Sequence, residues 1–378
     1  MKLSVLSNDE ALQAVPRIDE KFRPVWEGLS PQRQIALALY FLPHRSSRDV
    51  LTPTRPRVIK WYCPFAGQKV FPSGHRYCIN IYTGCVHGCV YCYAMSYSPD
   101  HASCKHNFAH MVQQDAEDLE RFDVPPAPVH LSNSTDPFQP LESIHHHAQF
   151  ALQQILAYRH RFTTVTILTK NPLLAAQPPY VDLLEQLREL PRDHVRYTQF
   201  AATNQPACCV EVSLAFWNAE AASVYDPHAP TIEQRIEGLR VLAARHIPLV
   251  LRIDPLLPRS PLTDDFQLTF ADLALPEGQT LDDLEKLVLL AKELKVRHVV
   301  YSPMKIVQPR GRPLSYIMQT FRKAYELMAA PQRLDWHSAS WRLPHNVAEA
   351  RITGPFLEIC RRHGVPAKFC MTNLVETP

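Results

Sequence analysis

Glycine is scarce in this chain, with 10 in 378 residues against 34 prolines. Few positions can therefore take a positive φ without strain, and proline fixes φ at many others, so the connections are expected to be stiff and extended. Long apolar runs are missing as well. No uninterrupted apolar stretch could span a bilayer, and the opening Met-Lys-Leu-Ser-Val-Leu-Ser-Asn-Asp-Glu has no sustained apolar core, so a cytoplasmic protein with no membrane association is expected. Nor is there an excess of one charge: 40 basic residues face 37 acidic ones, which by itself implies no nucleic-acid partner. What is present, 46% hydrophobic and 20% charged residues, is the composition of a globular protein long enough for one large α/β core with extensions. In a reducing compartment its ten cysteines are expected as thiols or metal ligands.

Three of those cysteines carry the strongest signal. The run Tyr82-Thr-Gly-Cys-Val-His-Gly-Cys-Val-Tyr-Cys-Tyr-Ala94 places Cys85, Cys89 and Cys92 at C-x3-C-x2-C spacing just after a strand-like segment. Thiolates are soft donors for iron and zinc, and three of them on one [4Fe-4S] cube leave the fourth iron open for a substrate or cofactor. The competing reading of the same loop is a zinc knot with His87 as a fourth ligand.

From Tyr77 onward, six short β-type runs alternate with helical patterns, as a parallel (βα) architecture requires. The strand candidates are residues 77–82, 128–133, 164–169, 209–214, 248–253 and 297–301; helical periods occupy 181–190, 231–246 and 281–295. Six units fall short of the eight in a closed barrel, so the expected fold is α/β, a partial (βα)6 TIM-type barrel spanning 76–305. Residues 1–75 are expected to form an N-terminal extension with a helix around 31–42, and 306–378 a helical C-terminal cap. Reading past each strand end gives the cysteine loop, Ser134 and Asp136, Lys170, Ser213, Arg252 with Asp254, and Ser302 with Lys305. One mouth would collect them. His145, His146 and His147 are expected to start an exposed helix.

The cysteine loop resembles the signature of the radical S-adenosylmethionine (SAM) superfamily, C-x3-C-x-aromatic-C, with Tyr91 as the aromatic residue. Further motifs in order are similar to those of the group containing spore photoproduct lyase and DNA repair photolyase-like proteins. They are Ser134-Thr-Asp-Pro-Phe-Gln-Pro-Leu-Glu142, Ile167-Leu-Thr-Lys170, Val212-Ser213, Asp226-Pro-His-Ala-Pro230 with Arg235, and Arg252-Ile-Asp-Pro255, and the match covers about 77–303. The resemblance implies a [4Fe-4S] cluster on Cys85, Cys89 and Cys92 whose free iron chelates SAM. It also implies reductive cleavage of SAM to a 5′-deoxyadenosyl radical, and a reducing partner such as flavodoxin or ferredoxin. Lys170 and Ser213 would hold the SAM carboxylate, Asp136 and Ser134 would accept from its ammonium, and the Tyr91 backbone would meet the adenine, with Arg252 close by.

Two departures bear on the reaction. Spore photoproduct lyase has a hydrogen-donating Cys near the end of its second strand, whereas Leu131-Ser-Asn-Ser-Thr-Asp136 contains none, so thymine-dimer repair is not expected. The Gly-Gly-Glu element of many radical SAM enzymes is replaced by Thr135-Asp-Pro137. Cys104 and Cys370 remain as candidate radical partners. The substrate is left unidentified, with nucleic acid as one class: Trp61, Tyr62, Tyr93 and Tyr97 could stack bases and Arg45, Arg48, Arg55, Arg57 and Lys60 meet phosphates, although core aromatics and a solvated loop are the favoured reading of these residues. The alternatives are a peptide or small metabolite, or a noncatalytic zinc- or nucleic-acid-binding module.

Overall fold

The computed structural model describes residues 18, 23–31, 33–34, 57–60, 76–99, 101–124, 126–189, 206–263, 265–334, 337–370 and 375–376. The helix expected at 31–42 lies largely outside these residues, as do Arg45, Arg48, Arg55, Trp61, Tyr62 and Cys63.

The strands are β1 (Ile59–Lys60), β2 (Tyr77–Ile79), β3 (Ala127–Leu131), β4 (Phe162–Thr169), β5 (Cys208–Ser213), β6 (Leu249–Leu256), β7 (Val299–Pro303), β8 (Gln332–Leu334), β9 (His337–Arg342), β10 (Ala367–Phe369) and β11 (Val375–Glu376). Nine of them form one sheet in the order β1-β2-β3-β4-β5-β6-β7-β10-β11, and β8 and β9 make a separate hairpin. Strands β2 to β7 and β10 run parallel, with antiparallel β1 and β11 at the two edges. The architecture is thus α/β with a mostly parallel sheet. All six expected strands are present, and the parallel set gains a seventh member, β10. Its three residues, Ala367-Lys-Phe369, are too short to show an alternation in sequence, and they belong to the segment expected to form a helical cap.

Helices cover one face of this sheet, and the strands turn apolar residues toward it. Val165 and Ile167, Val210 and Val212, Leu251 and Ile253, and Val299 and Tyr301 all enter the main buried core. Burial of each such Val, Leu or Ile stabilises the fold by about 1.5–3 kcal/mol. The helices start where the sequence supplies caps. Thr231 and Gln234 form a reciprocal capping box at Ile232–Ala244, and Thr280 and Asp283 do the same at Leu281–Glu293.

The intervening residues face the other way. Pairing places Cys78 beside His130, His130 beside Thr166 and Thr166 beside Cys209, then Glu211 beside Val250, and Ser213 beside Arg252, which is beside Val300. A small second apolar cluster of Cys209, Val250, Val300 and Cys370 lies on this side, where Leu168 also pairs with Glu211, and His130, Thr166, Glu211, Ser213 and Arg252 are polar or charged. A parallel sheet covered on both faces by helices would have apolar residues at these positions. No helix among the described residues is long and apolar enough to cross a membrane.

The histidine tract departs from the expected single helix. His146 takes a left-handed φ of 51°, which separates the helix Glu142–His145 from His147–Ala157. His147 then stacks on Phe108, with ring centroids 4.4 Å apart.

Candidate active site

The cysteine loop follows β2 directly. Gly84, with a φ of 73°, passes so close to the backbone of His101 that a Cβ there would lie 2.2 Å from the His101 carbonyl oxygen. Gly88 has a φ of 63° and packs on His228. Two of the chain's few glycines therefore sit where the loop must turn left-handed. The loop is also tied to its neighbours, since Val90 N–H donates to the Tyr225 carbonyl at 3.1 Å and Val86 N–H to Gln139 Oε1 at 3.0 Å.

Cys85, Cys89 and Cys92 lie within one another's electrostatic reach. Burial pushes the Cys85 thiol up to about 12, with Asp136 adding to the effect, and burial likewise raises Cys89 and Cys92. Buried thiols become ligands only when a cation compensates the thiolate, and soft iron or zinc does so. The donor set therefore fits a cluster. A single zinc ion needs its ligands convergent at about 2.3 Å, whereas on a [4Fe-4S] cube each thiolate takes a different iron. Among the described residues, no group of three or more His, Cys, Asp or Glu is gathered to hold one metal ion.

His87 is committed elsewhere. It is buried, its Nε2 lies 3.1 Å from Asp136 Oδ2 and its Nδ1 lies 3.3 Å from the His228 carbonyl. The zinc knot thus lacks the fourth ligand proposed for it. The sequence also contains Cys89-x2-Cys92 followed by His106-x3-His110, a spacing used by zinc fingers. Both histidines are exposed, beside or within the start of the helix Phe108–Arg121, so spacing alone would have misled.

Asp136 does not present a free acceptor. Its carboxylate accepts from His87, Thr169 Oγ1 at 2.8 Å, Lys170 N–H at 2.6 Å and Phe138 N–H at 2.8 Å. Burial alone would raise its pKa, but His87 and these other donors outweigh that and hold it below the ordinary carboxylate range. It forms a strut between the cysteine loop and the end of β4. Ser134, by contrast, lies near the surface, with Oγ 2.9 Å from the hydroxyl of exposed Tyr97.

Lys170 and Ser213 do come together. Lys170 Nζ donates to Ser213 Oγ at 3.1 Å, to the Tyr91 hydroxyl at 2.8 Å and to Asp226 Oδ2 at 3.1 Å. Asp226 is the residue that sequence reasoning left without a role. Fully buried as a side chain, it accepts from Tyr91 Oη at 2.5 Å, from Lys170, and from Arg235 Nη1 at 3.1 Å. Burial would raise its pKa; Lys170 and Arg235 reverse that and keep it ionised. Arg235, itself buried, also donates to the Pro230 carbonyl at 2.8 Å, so the Asp226-Pro-His-Ala-Pro230 turn is fastened at both ends.

A second ionic cluster occupies the far part of the same face. Arg252 donates to Glu211 Oε2 at 2.7 Å, to Asp254 Oδ2 at 2.6 Å and to the Cys370 sulfur at 3.1 Å, and Ser302 Oγ donates to Asp254 Oδ1 at 2.5 Å. Burial would lower the Arg252 pKa, but Asp254 and Glu211 more than offset it. Of the two cysteines expected as radical partners, Cys370 therefore reaches the polar face, where β10 carries it, while Cys104 packs on the main core.

No family model matches the chain. An uncharacterized protein of Methanocaldococcus jannaschii is 26% identical over 188 residues, 49% of this chain and 62% of that protein, so the match spans less than two thirds of the relative's length. Two variants of spore photoproduct lyase have similar structures. One has a TM-score of 0.50 at 11% identity, covering 85% of this chain and 81% of the other; the second has 0.50 at 12%, covering 89% and 84%. The chain shares its fold with spore photoproduct lyase.

Proposed function

We propose that this chain is a radical SAM enzyme and that its sheet curves into the expected partial barrel, the polar face lining the interior and the three-part division of the chain retained. The observation that carries the reading is the meeting of Cys85, Cys89 and Cys92 with Lys170, Ser213 and Tyr91 at the ends of β2, β4 and β5. Cys85, Cys89 and Cys92 would hold a [4Fe-4S] cluster, and Lys170 and Ser213 the carboxylate of SAM. When bound and reduced by a flavodoxin or ferredoxin, this pair supplies a 5′-deoxyadenosyl radical for hydrogen abstraction.

The chain's own residues provide position and charge. Asp226 accepts one hydrogen bond from Lys170, so an arriving carboxylate competes for an ammonium already oriented by Ser213 and Tyr91. Tyr91 is held through its hydroxyl, which leaves its backbone to meet the adenine. Asp136 keeps the loop and the β4 end at fixed separation through His87 and Lys170 N–H. Asn133, not cysteine, stands near the end of β3, which separates the reaction from a thymine-dimer repair that needs a thiol there. The substrate is left unidentified, with nucleic acid as one class open to this chemistry.

The test is anaerobic reconstitution with iron and sulfide, reduction, and measurement of 5′-deoxyadenosine beside Cys92→Ala. Production that requires Cys92 supports the proposal. An iron-free protein, or a cluster that leaves SAM intact, refutes it.

A further inference from the structure

Next to the cysteine loop lies a cavity of about 470 Å³, within the size range of small-molecule sites. Its wall is built from three pieces of chain. β1 contributes Lys60, which pairs opposite Cys78 of β2, and the segment from β2 into the loop contributes Asn80, Tyr82, Thr83 and Gly84. Lys105 enters from the other side, and Ser98, Tyr97 and Ser134 complete the lining.

Two lysines stand in this wall, and the described lining includes no aspartate or glutamate. The Lys105 ammonium donates to the carbonyls of Asn80, of Ile81 at 3.1 Å and of Tyr82 at 2.7 Å, which uses all three of its hydrogens. Those contacts fix the charge in place without neutralising it. Burial and then the like charge of Lys60 bring its pKa down to about 7, so an anion entering the cavity would favour the protonated form of an amine that is otherwise half-titrated at neutral pH. Hydroxyls of Ser98, Thr83, Tyr97 and Ser134 add neutral donors around it. Buried charges of one sign normally meet a counter-charge, and a cavity arranged this way recruits one from solution.

We propose that this cavity is an oxyanion subsite, in which a phosphoryl or carboxylate group of the substrate is contacted by Lys60 and by the hydroxyls and is held electrostatically by Lys105. Its placement as a substrate subsite rests on the radical SAM reading, because Gly84 joins its wall to Cys85. The existence of the anion site does not.

Binding is therefore tested on the full chain without iron or SAM, by thermal unfolding during titration at constant ionic strength. Inorganic phosphate, a nucleoside 5′-monophosphate and acetate are the three probes, with chloride as the control. A ligand that binds only the folded chain raises the Tm saturably. The expected result is a saturable rise with phosphate, with an apparent Kd raised about tenfold in Lys60→Gln by loss of one charge-assisted contact and restored in Lys60→Arg. Lys105→Met should weaken binding too, and Lys60→Gln keeps the test readable should that variant fail to fold. Tighter binding of the nucleotide than of phosphate assigns the site to a phosphate ester, and preference for acetate assigns it to a carboxylate. A rise no larger than chloride gives with all three probes, or an equal rise in Lys60→Gln, overturns the proposal whether or not SAM is cleaved.

Discussion

Asp226 and Arg252 are the centres of two ionic clusters that invert one another. At Asp226 a single carboxylate faces two cations, Lys170 and Arg235, and its side chain has no exposure. At Arg252 a single guanidinium faces two carboxylates, Glu211 and Asp254, each with 17% of its side chain accessible. The first cluster thus pairs two cations with one carboxylate in a dry place below the cysteine loop, and the second two carboxylates with one cation in a wetter place between β5, β6 and β10.

The sharpest way to break this contrast is to remove each centre. Asp226→Asn leaves Lys170 and Arg235 buried without their shared counter-charge, and a loss of about 3–5 kcal/mol in urea unfolding is expected. A loss under about 1 kcal/mol would mean that water already solvates the cluster. Arg252→Met should cost less, about 2 kcal/mol, because Glu211 and Asp254 keep some contact with water. An equal cost for both would erase the distinction between dry and wet.

Acid should sharpen the contrast further. His130 lies on the same face, and burial, with Arg76 next, lowers its pKa to about 3. The unfolded chain, with an ordinary histidine near about 6.5, binds the proton first as the pH falls. Stability from this group is therefore complete above about 6.5 and declines toward 3, by about 1–2 kcal/mol between pH 7.5 and 5. His130→Gln should flatten that slope in unfolding curves at the two pH values. The smallest stability effect belongs to Ser213→Ala, under about 1 kcal/mol, accompanied by SAM binding several-fold weaker in equilibrium dialysis. Unchanged binding would remove Ser213 from the cofactor site.

Much of this organisation was legible because it is local. Strands β4 to β7 announce themselves as short apolar or β-branched runs between helical patterns, and the Thr231–Gln234 capping box marks a helix start. The cysteine spacing, Lys170 and Ser213 were also legible, since each follows a strand. Roles that depend on distant partners were not. Asp226 precedes proline and reads as the opening of a turn, and only folding brings Lys170 to it. Nor were the internal partners of Asp136: an acid past a strand end suggests a ligand, and only folding brings Phe138 N–H, Thr169 Oγ1 and Lys170 N–H to its oxygens. Lys60 and Lys105 are far apart in sequence and meet only through the pairing of β1 with β2.

The two edge strands have a consequence for life in a crowded solution. A sheet edge is a row of free donors and acceptors that can template another chain. Here β1 and β11 cover the parallel strands with antiparallel pieces of two residues each, Ile59–Lys60 and Val375–Glu376. So short a ladder gives a foreign strand little purchase, and Lys60 places a charge on it. Among the described residues, edge-to-edge pairing therefore finds little ladder at either end of the sheet.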